Sequence, residues 1–408
     1  MTARRAKAVA AAPPDKSSHR AVNGALSALV SRQLGISSAV LLVTLAVDAL
    51  TPAGAHLSTR LTPSPSEHLS NPFARCLFLS FRKPGTDLYF KGRDDAFFIG
   101  WWVFAFLFIR EALMRWVFAP FARWSGSRTD KATVRFAEQA WQLFYYSVSF
   151  SVGLYINQTS EYRNLNTLYF WKDYPHDALP WLTKWYYLVS TAFCIQQIIV
   201  LNMEARRKDF HQMFTHHIVT VNLVAFSYVL NWTRIGNTIL CTMDLADIFL
   251  PLAKLFRYTG HFRSADVTFG LFLLSWIVTR HFVLGKIIWS VVTEPQTVLA
   301  YDWRSEDGYF FSRNTQIVFT LLLCALQTLV CMWMYFILRV VLKILGGASA
   351  DDVRSDDEDD DEEEDEADES DDEEPEEKKK RANGRQNGHL NGNGNGTAEK
   401  EKERRKDR

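Results

Sequence analysis

RRKDFHQMFTHHIVTVNLVAFSYVLNWTRIGNTILCTMDLADIFLPLAKLFRY, residues 206–258, decides how this chain is built. Two apolar runs, 216–232 and 235–255, meet at a short turn, NWTRIGN (231–237), and a basic run, RRKD (206–209), precedes them. Each apolar run is near the ~20 residues needed to cross a bilayer, so the stretch predicts two antiparallel membrane helices. The first carries His216 and His217 near its start, and the second carries Asp244 and Asp247. Ionisable side chains at membrane depth are costly, so these four residues are the leading candidates for an intramembrane reaction site.

Outward from that stretch the pattern repeats. Further apolar runs fall at about 34–50, 96–118, 137–156, 182–202, 267–291 and 317–345. The expected fold is therefore all-α and polytopic, with seven to eight transmembrane helices; Glu138, Gln139 and Gln142 weaken one run, and Arg110 and Glu111 another. Composition agrees, at 48% hydrophobic with 13 Trp and 29 Phe. The formal net charge of zero hides a strong asymmetry, because 21 of the 46 acids lie between Asp351 and Glu377, whereas residues 1–350 hold 34 basic and 21 acidic side chains. Cys194, Cys241, Cys324 and Cys331 sit inside apolar runs with no paired spacing, which argues against a disulfide framework or a zinc site. About thirty polar, small or basic residues precede the first apolar run, so it reads as an anchor helix and not as a cleavable signal peptide. The expected organisation is an N-terminal cytosolic segment (1–33), the anchor (34–50), a lumenal loop with an amphipathic entry (51–95), a membrane domain (96–345) and a disordered acidic, then basic, tail (346–408).

Basic residues set the orientation. The connections after the second, fourth and sixth runs carry Arg115, Arg123, Arg128, Lys131 and Arg135, then Arg206, Arg207 and Lys208, then Arg257 and Arg263, which predicts a cytosolic location for these loops and for both termini. The sequons at Asn157 and Asn231 then face the other side, close against the membrane. In the tail, Ser355 and Ser370 each precede Asp-Asp-Glu, the context an acidophilic kinase reads; a solvating tail without specific role accounts for the acids equally well.

The chemistry follows from depth. Counting outward from Arg234, His217 is 17 residues away and Asp247 is 13, which places the two within ~6 Å of each other along the hairpin axis. An imidazole facing a carboxylate would form the base-and-orienter pair of acid-base or nucleophilic catalysis, and neighbouring histidines point ~100° apart, so one of the two faces the reacting atom. Lone membrane histidines also serve as packing or pore-lining groups. A metal site is not expected, because the repeated histidine clusters of membrane di-iron enzymes are lacking. Arg206, Arg207 and Lys208 suit either the positive-inside signal or the phosphates of a charged cytosolic substrate such as coenzyme A. Arg280 and Lys286 lie well inside the seventh run; Arg280 is expected to neutralise Asp244 or Asp247, and Lys286 to reach the membrane interface. Lys254 and Tyr258 lie four apart at the cytosolic end of the sixth run, where snorkelling explains them as well as substrate contact does.

At these same residues the sequence resembles the longevity-assurance ceramide synthases, within the wider family of TLC-domain membrane proteins. The 206–258 stretch carries the signature; FLFIREALMRWVFAPF (106–121), FYYSVSFSVGLYI (144–156) and WMYFILRVVLKIL (333–345) extend the likeness over about 90–345. Met243 stands where animal members commonly place His before the first aspartate, and with TRIGN this resembles the fungal branch. The resemblance implies a six- to seven-helix TLC-type bundle enclosing an active site, with His216, His217, Asp244 and Asp247 as its essential residues. It also implies transfer of a long or very long acyl group from acyl-coenzyme A to a sphingoid base, dihydrosphingosine or phytosphingosine, in the endoplasmic reticulum membrane. Acyl-coenzyme A is then a co-substrate, no cofactor is required, and membrane lipids, a homo- or heterodimer with a paralogue and a small single-span subunit are the expected partners; nucleic acid is not. The connection YDWRSEDGYFF (301–311) resembles the segment implicated in chain-length choice, or it is a plain solvated connector. A TLC-domain protein acting as a lipid-sensing or translocation factor, without enzymatic activity, is the alternative; a channel or transporter lacks support from broken-helix pairs or inverted repeats.

Overall fold

The computed structural model describes residues 33–47, 73–127, 129–204 and 209–345. Among them run eight long helices: α1 (Gln33–Val47), α2 (Asp95–Trp124), α3 (Asp130–Thr159), α4 (Trp181–Met203), α5 (Phe210–Val229), α6 (Thr233–Tyr258), α7 (Phe262–Thr293) and α8 (Arg313–Leu345). A two-stranded antiparallel ladder joins β1 (Leu88–Phe90) to β2 (Ala178–Pro180), with Tyr89 opposite Leu179. The compact unit closes at Leu338, and Arg339–Leu345 continue as helix.

Four of these helices, α2, α4, α7 and α8, are long and apolar enough to cross a membrane by length and composition. The 30-residue α3 and the 26-residue α6 have the length, but each carries polar groups at several positions. In α3 these include Gln139 and Ser149, and in α6 Asn237, Thr238 and Asp244, all buried. Averaged hydropathy counts such inward-facing groups against a helix even when its outer face is apolar, as in α3 at Phe144, Val148 and Leu154.

α6 is the central element, packed along α3 on one side and α7 on the other, and joined to α5 by the turn Leu230–Trp232. Close approach is set by small residues. A Cβ on Gly153 of α3 would lie 2.7 Å from the Tyr186 hydroxyl and 3.0 Å from Cys241 Cβ, and one on Gly236 of α6 would collide with the Tyr187 hydroxyl and sit 2.7 Å from Ser227 Oγ. Gly153 thus lets α3 approach α4 and α6, and Gly236 lets α6 approach α4 and α5, the packing device of helices that cannot rely on hydrophobic exclusion in lipid. A second cluster, with Phe106, Trp141, Tyr145 and Phe193 at its centre, fastens α2 and α3 to α4. Trp101 Nε1 donates to Thr44 Oγ1 at 2.9 Å and ties α1 to α2.

At the end where α5 turns into α6, aromatic packing caps the bundle. Trp232 is 1% exposed and meets Trp171, Phe311 and Phe319 with ring separations of 5.5, 6.2 and 5.0 Å. The 301–311 connection is thus more than a solvated connector, since Tyr309 and Phe311 belong to this core and Phe310 N–H donates to the Tyr174 hydroxyl. By the last turn of α5 lies a fully enclosed ion pair, Lys184 Nζ to Asp95 Oδ1 at 2.7 Å. The same ammonium donates to the carbonyls of Ser80 and Phe90, and Asp95 Oδ2 accepts from the Tyr228 hydroxyl and the Gly92 N–H. Both sequon asparagines are structural. Asn157 Nδ2 donates to Gly153 O while its Oδ1 accepts from Thr238, and buried Asn231 donates to Gly308 O and accepts from Lys91 Nζ. The amide nitrogen a glycan would need is engaged at each. Ser355 and Ser370 lie outside the described residues.

Candidate active site

Six helices, α3 to α8, line one cavity in the bundle. Its walls are mostly apolar, with Phe193, Leu223, Val224, Ile239, Leu240 and Leu326 among them, and three helices bring its acids, its arginine and its histidines to it. There α5 supplies His216 and His217, α6 supplies Asp244 and Asp247, and α7 supplies Arg280. The two aspartates, three apart on α6, share a helical face, and the i, i+3 spacing turns both toward the interior.

The carboxylates have different partners. Asp247 Oδ1 accepts from Arg280 Nη2 at 2.6 Å, and the guanidinium also reaches Met243 O and stacks over Trp276, its Cζ 4.2 Å from the ring centroid. Arg280 stands on the π-helical turn Ile277–Val283, which rotates the residues after Trp276 relative to a straight α-helix; such turns recur at functional sites. Asp244 Oδ2 accepts from Ser149 Oγ of α3 at 2.6 Å. Among the described residues no imidazole hydrogen-bonds to either carboxylate, so the direct histidine–aspartate pair expected from depth alone is not formed. Depth fixes position along the axis and leaves rotation about it open, and Ser149 and Arg280 occupy the carboxylate oxygens instead.

The two histidines are also unlike. His216 sits edge-on to Trp333, rings 5.2 Å apart, with Nδ1 buried and without a partner in the described structure. His217 lines the cavity and, in addition, a second pocket at the far end from the aromatic cap. That pocket has mixed walls, with Arg110, Glu138, Gln142, Gln197, Glu204 and Asp209 beside Trp141, Val200, Leu201 and Met213, and is richer in polar groups than the cavity. Arg110 of α2 pairs with Glu204 at the end of α4. Gln197 and His217 belong to both spaces, so the imidazole stands where a more polar vestibule meets a mostly apolar chamber.

The remaining sequence candidates are placed as follows. Lys254 and Tyr258 are on the last turns of α6 and do not line the cavity; Tyr258 is 39% exposed and faces Phe136. Arg206, Arg207 and Lys208 lie outside the described residues. Lys286 donates to Leu165 O in the α3–α4 connection, and His281 meets Gln327 of α8. Sequence reasoning passed over Tyr146, Ser149, Gln197 and Trp333. Tyr145 and Ser149 are spaced i, i+4 in the quoted stretch 144–156, a helical-face signal that points to one side of α3 but names no partner.

Comparison with known proteins bears on what this geometry serves. The TLC domain family model matches residues 135–339, the span that contributes every residue lining the main cavity. The chain is 40% identical over 283 residues to the sphingosine N-acyltransferase lag1 of Schizosaccharomyces pombe, covering 69% of this chain and 72% of that protein. It is 36% identical over 300 residues to the ceramide synthase LAG1 of Saccharomyces cerevisiae, covering 71% of each. A ceramide synthase of Gibberella moniliformis is 35% identical over 323 residues, covering 71% of this chain and 75% of that protein.

Proposed function

We propose, from the premise that this chain belongs to the ceramide synthase branch of the TLC-domain family and is an acyltransferase, that the α3–α8 cavity is where acyl-coenzyme A N-acylates a sphingoid base. The observation that carries the reading is the position of His217. The thioester carbon of acyl-coenzyme A is the junction between a polar carrier and an apolar chain, and His217 stands at the matching junction in the protein. The acyl chain extends among Phe193, Leu223 and Ile239, the pantetheine arm lies along Gln142 and Gln197, and the basic run 206–208, which joins Glu204 to Asp209 in sequence, serves the phosphates.

His217 either takes a proton from the amine as it attacks or attacks the thioester first to give an acyl-imidazole. In both routes a C–N bond forms, the C–S bond breaks, and the amine proton passes through the imidazole to the departing thiolate. His216, held against Trp333, orients its neighbour. Acyl-coenzyme A is a co-substrate, and no resident cofactor or metal takes part. In this reading α1 is an anchor and α2 to α8 all span, so eight helices cross the endoplasmic reticulum membrane with both termini cytosolic. The chain works as a homo- or heterodimer with a small single-span subunit, and Ser355 and Ser370 are phosphorylated.

The test is N-acylation of dihydrosphingosine by the purified full chain supplied with long and very long acyl-coenzyme A. Turnover in the wild type, lost in His217→Ala and Asp247→Ala at matched folding, is the expected result. Absence of wild-type turnover, even with the small subunit added, would refute the assignment.

A further inference from the structure

Counted by residue type, the side chains lining the cavity do not balance in formal charge. Of the side chains lining it, the formally charged ones are Asp244, Asp247 and Arg280. Arg280 is committed to Asp247 by the 2.6 Å ion pair and fixed from behind by Trp276 and Met243 O. Asp244 is 9% exposed, and among the described residues its sole hydrogen-bond donor is the neutral Ser149 hydroxyl. An enclosed carboxylate that meets only a hydroxyl lacks the cation that normally compensates it. A sphingoid base enters from water as an ammonium ion, one positive charge on a long apolar chain.

We infer that Asp244 is the docking carboxylate for the substrate ammonium, and that Asp247 and Arg280 form a separate positioning pair that holds α6 against α7. The inference rests on the acyltransferase reading above. The cavity then reaches charge balance only when the sphingoid base is bound, which selects an amine over an uncharged lipid of the same shape. Asp244 accepts the ammonium's extra proton, releasing the neutral amine to attack the thioester carbon; the carboxyl returns that proton to water after each turnover. The overall balance is ammonium plus thioester giving amide, thiol and one free proton. Ser149 is a positioning residue that aims Oδ1 of Asp244, the oxygen without a donor, into the cavity.

The experiment measures binding to the purified full chain, without acyl donor, of N,N-dimethyl-dihydrosphingosine, a cation that cannot yield a stable amide, and of the alkane-1,3-diol of equal chain length. One charge-assisted contact predicts a preference for the cation of about ten- to a hundredfold in the wild type. Asp244→Asn abolishes that preference. Removing the pair together, Asp247→Asn with Arg280→Met, leaves it intact, because the cavity's net charge is unchanged. Retention in Asp244→Asn, or loss in the paired variant, overturns the assignment. If Asp244→Asn does not fold, Arg280→Met alone decides: it exposes a second uncompensated carboxylate, so the preference must hold or rise, and a fall overturns the inference. The same wild-type preparation is assayed for N-acylation. Absent turnover defeats the acyltransferase reading, whereas turnover with equal binding of cation and diol defeats only the role given to Asp244.

Discussion

The ion pair between Lys184 and Asp95 offers a prediction with a magnitude set by its surroundings. Both side chains are enclosed, at 0% and 2% exposure, and the pair joins α2 and α4 to the β1 strand and to α5 through Tyr228. Lys184→Met keeps most of the side-chain volume, so it removes charge with little cavity. It leaves Asp95 buried with only the Tyr228 hydroxyl and the Gly92 N–H, and it strips the carbonyls of Ser80 and Phe90 of their donor. Breaking a buried pair in this way costs about 3–5 kcal/mol, or roughly two to four powers of ten in the folding equilibrium. Adding Asp95→Asn removes the orphaned charge while an amide oxygen still accepts from Tyr228, so the double variant should cost only about 1–2 kcal/mol. A double-mutant cycle on the purified protein, unfolded by denaturant in detergent micelles, should therefore show a coupling of about 2 kcal/mol or more. N-acylation by the folded fraction should keep its wild-type KM for the sphingoid base, since neither residue of the pair lines the cavity. Additive losses in the double variant, or a neutral Lys184→Met, would refute the argument.

Ser149→Ala removes the hydroxyl at 2.6 Å from Asp244 Oδ2. A hydrogen bond to a charged group is worth about 1.5–3 kcal/mol, so kcat/KM for the sphingoid base should fall about ten- to a hundredfold. KM for acyl-coenzyme A should hold and Ser149→Thr should recover most of the loss; a change under about twofold, measured by steady-state N-acylation, would sink the role. Outside the spans, burial pulls the Lys91 ammonium down from 10.5 to about 7, with Asp177 and Asp95 opposing and Lys184 adding to the fall. Between those two values the unfolded chain binds a proton that the folded chain does not, so stability should rise as pH goes from about 7 toward 10 and lose that rise in Lys91→Met. Urea midpoints across that range decide it, and a slope unaffected by the substitution would count against the assignment.

What could be read from the sequence depended on whether a residue's chemistry leaves it one option or several. An arginine in the middle of an apolar run must find an acid or escape to the interface, so the sequence alone points Arg280 to Asp244 or Asp247, and the ion pair with Asp247 is the outcome. The hairpin of α5 and α6 was legible for a similar reason, because two apolar runs separated by a few polar residues leave no other geometry. Serine has choices. Ser149 reaches across to Asp244, whereas Ser151, two residues on in the same helix, turns back to the carbonyl of Ser147, and nothing local separates the two. The partner of Asp244 was therefore hidden until the rotation of α3 was known. The same inward turn lowers the mean hydropathy of α3 and α6: buried Gln139, Ser149, Asn237, Thr238 and Asp244 all count as polar positions, and two of them, Ser149 and Asp244, line the cavity.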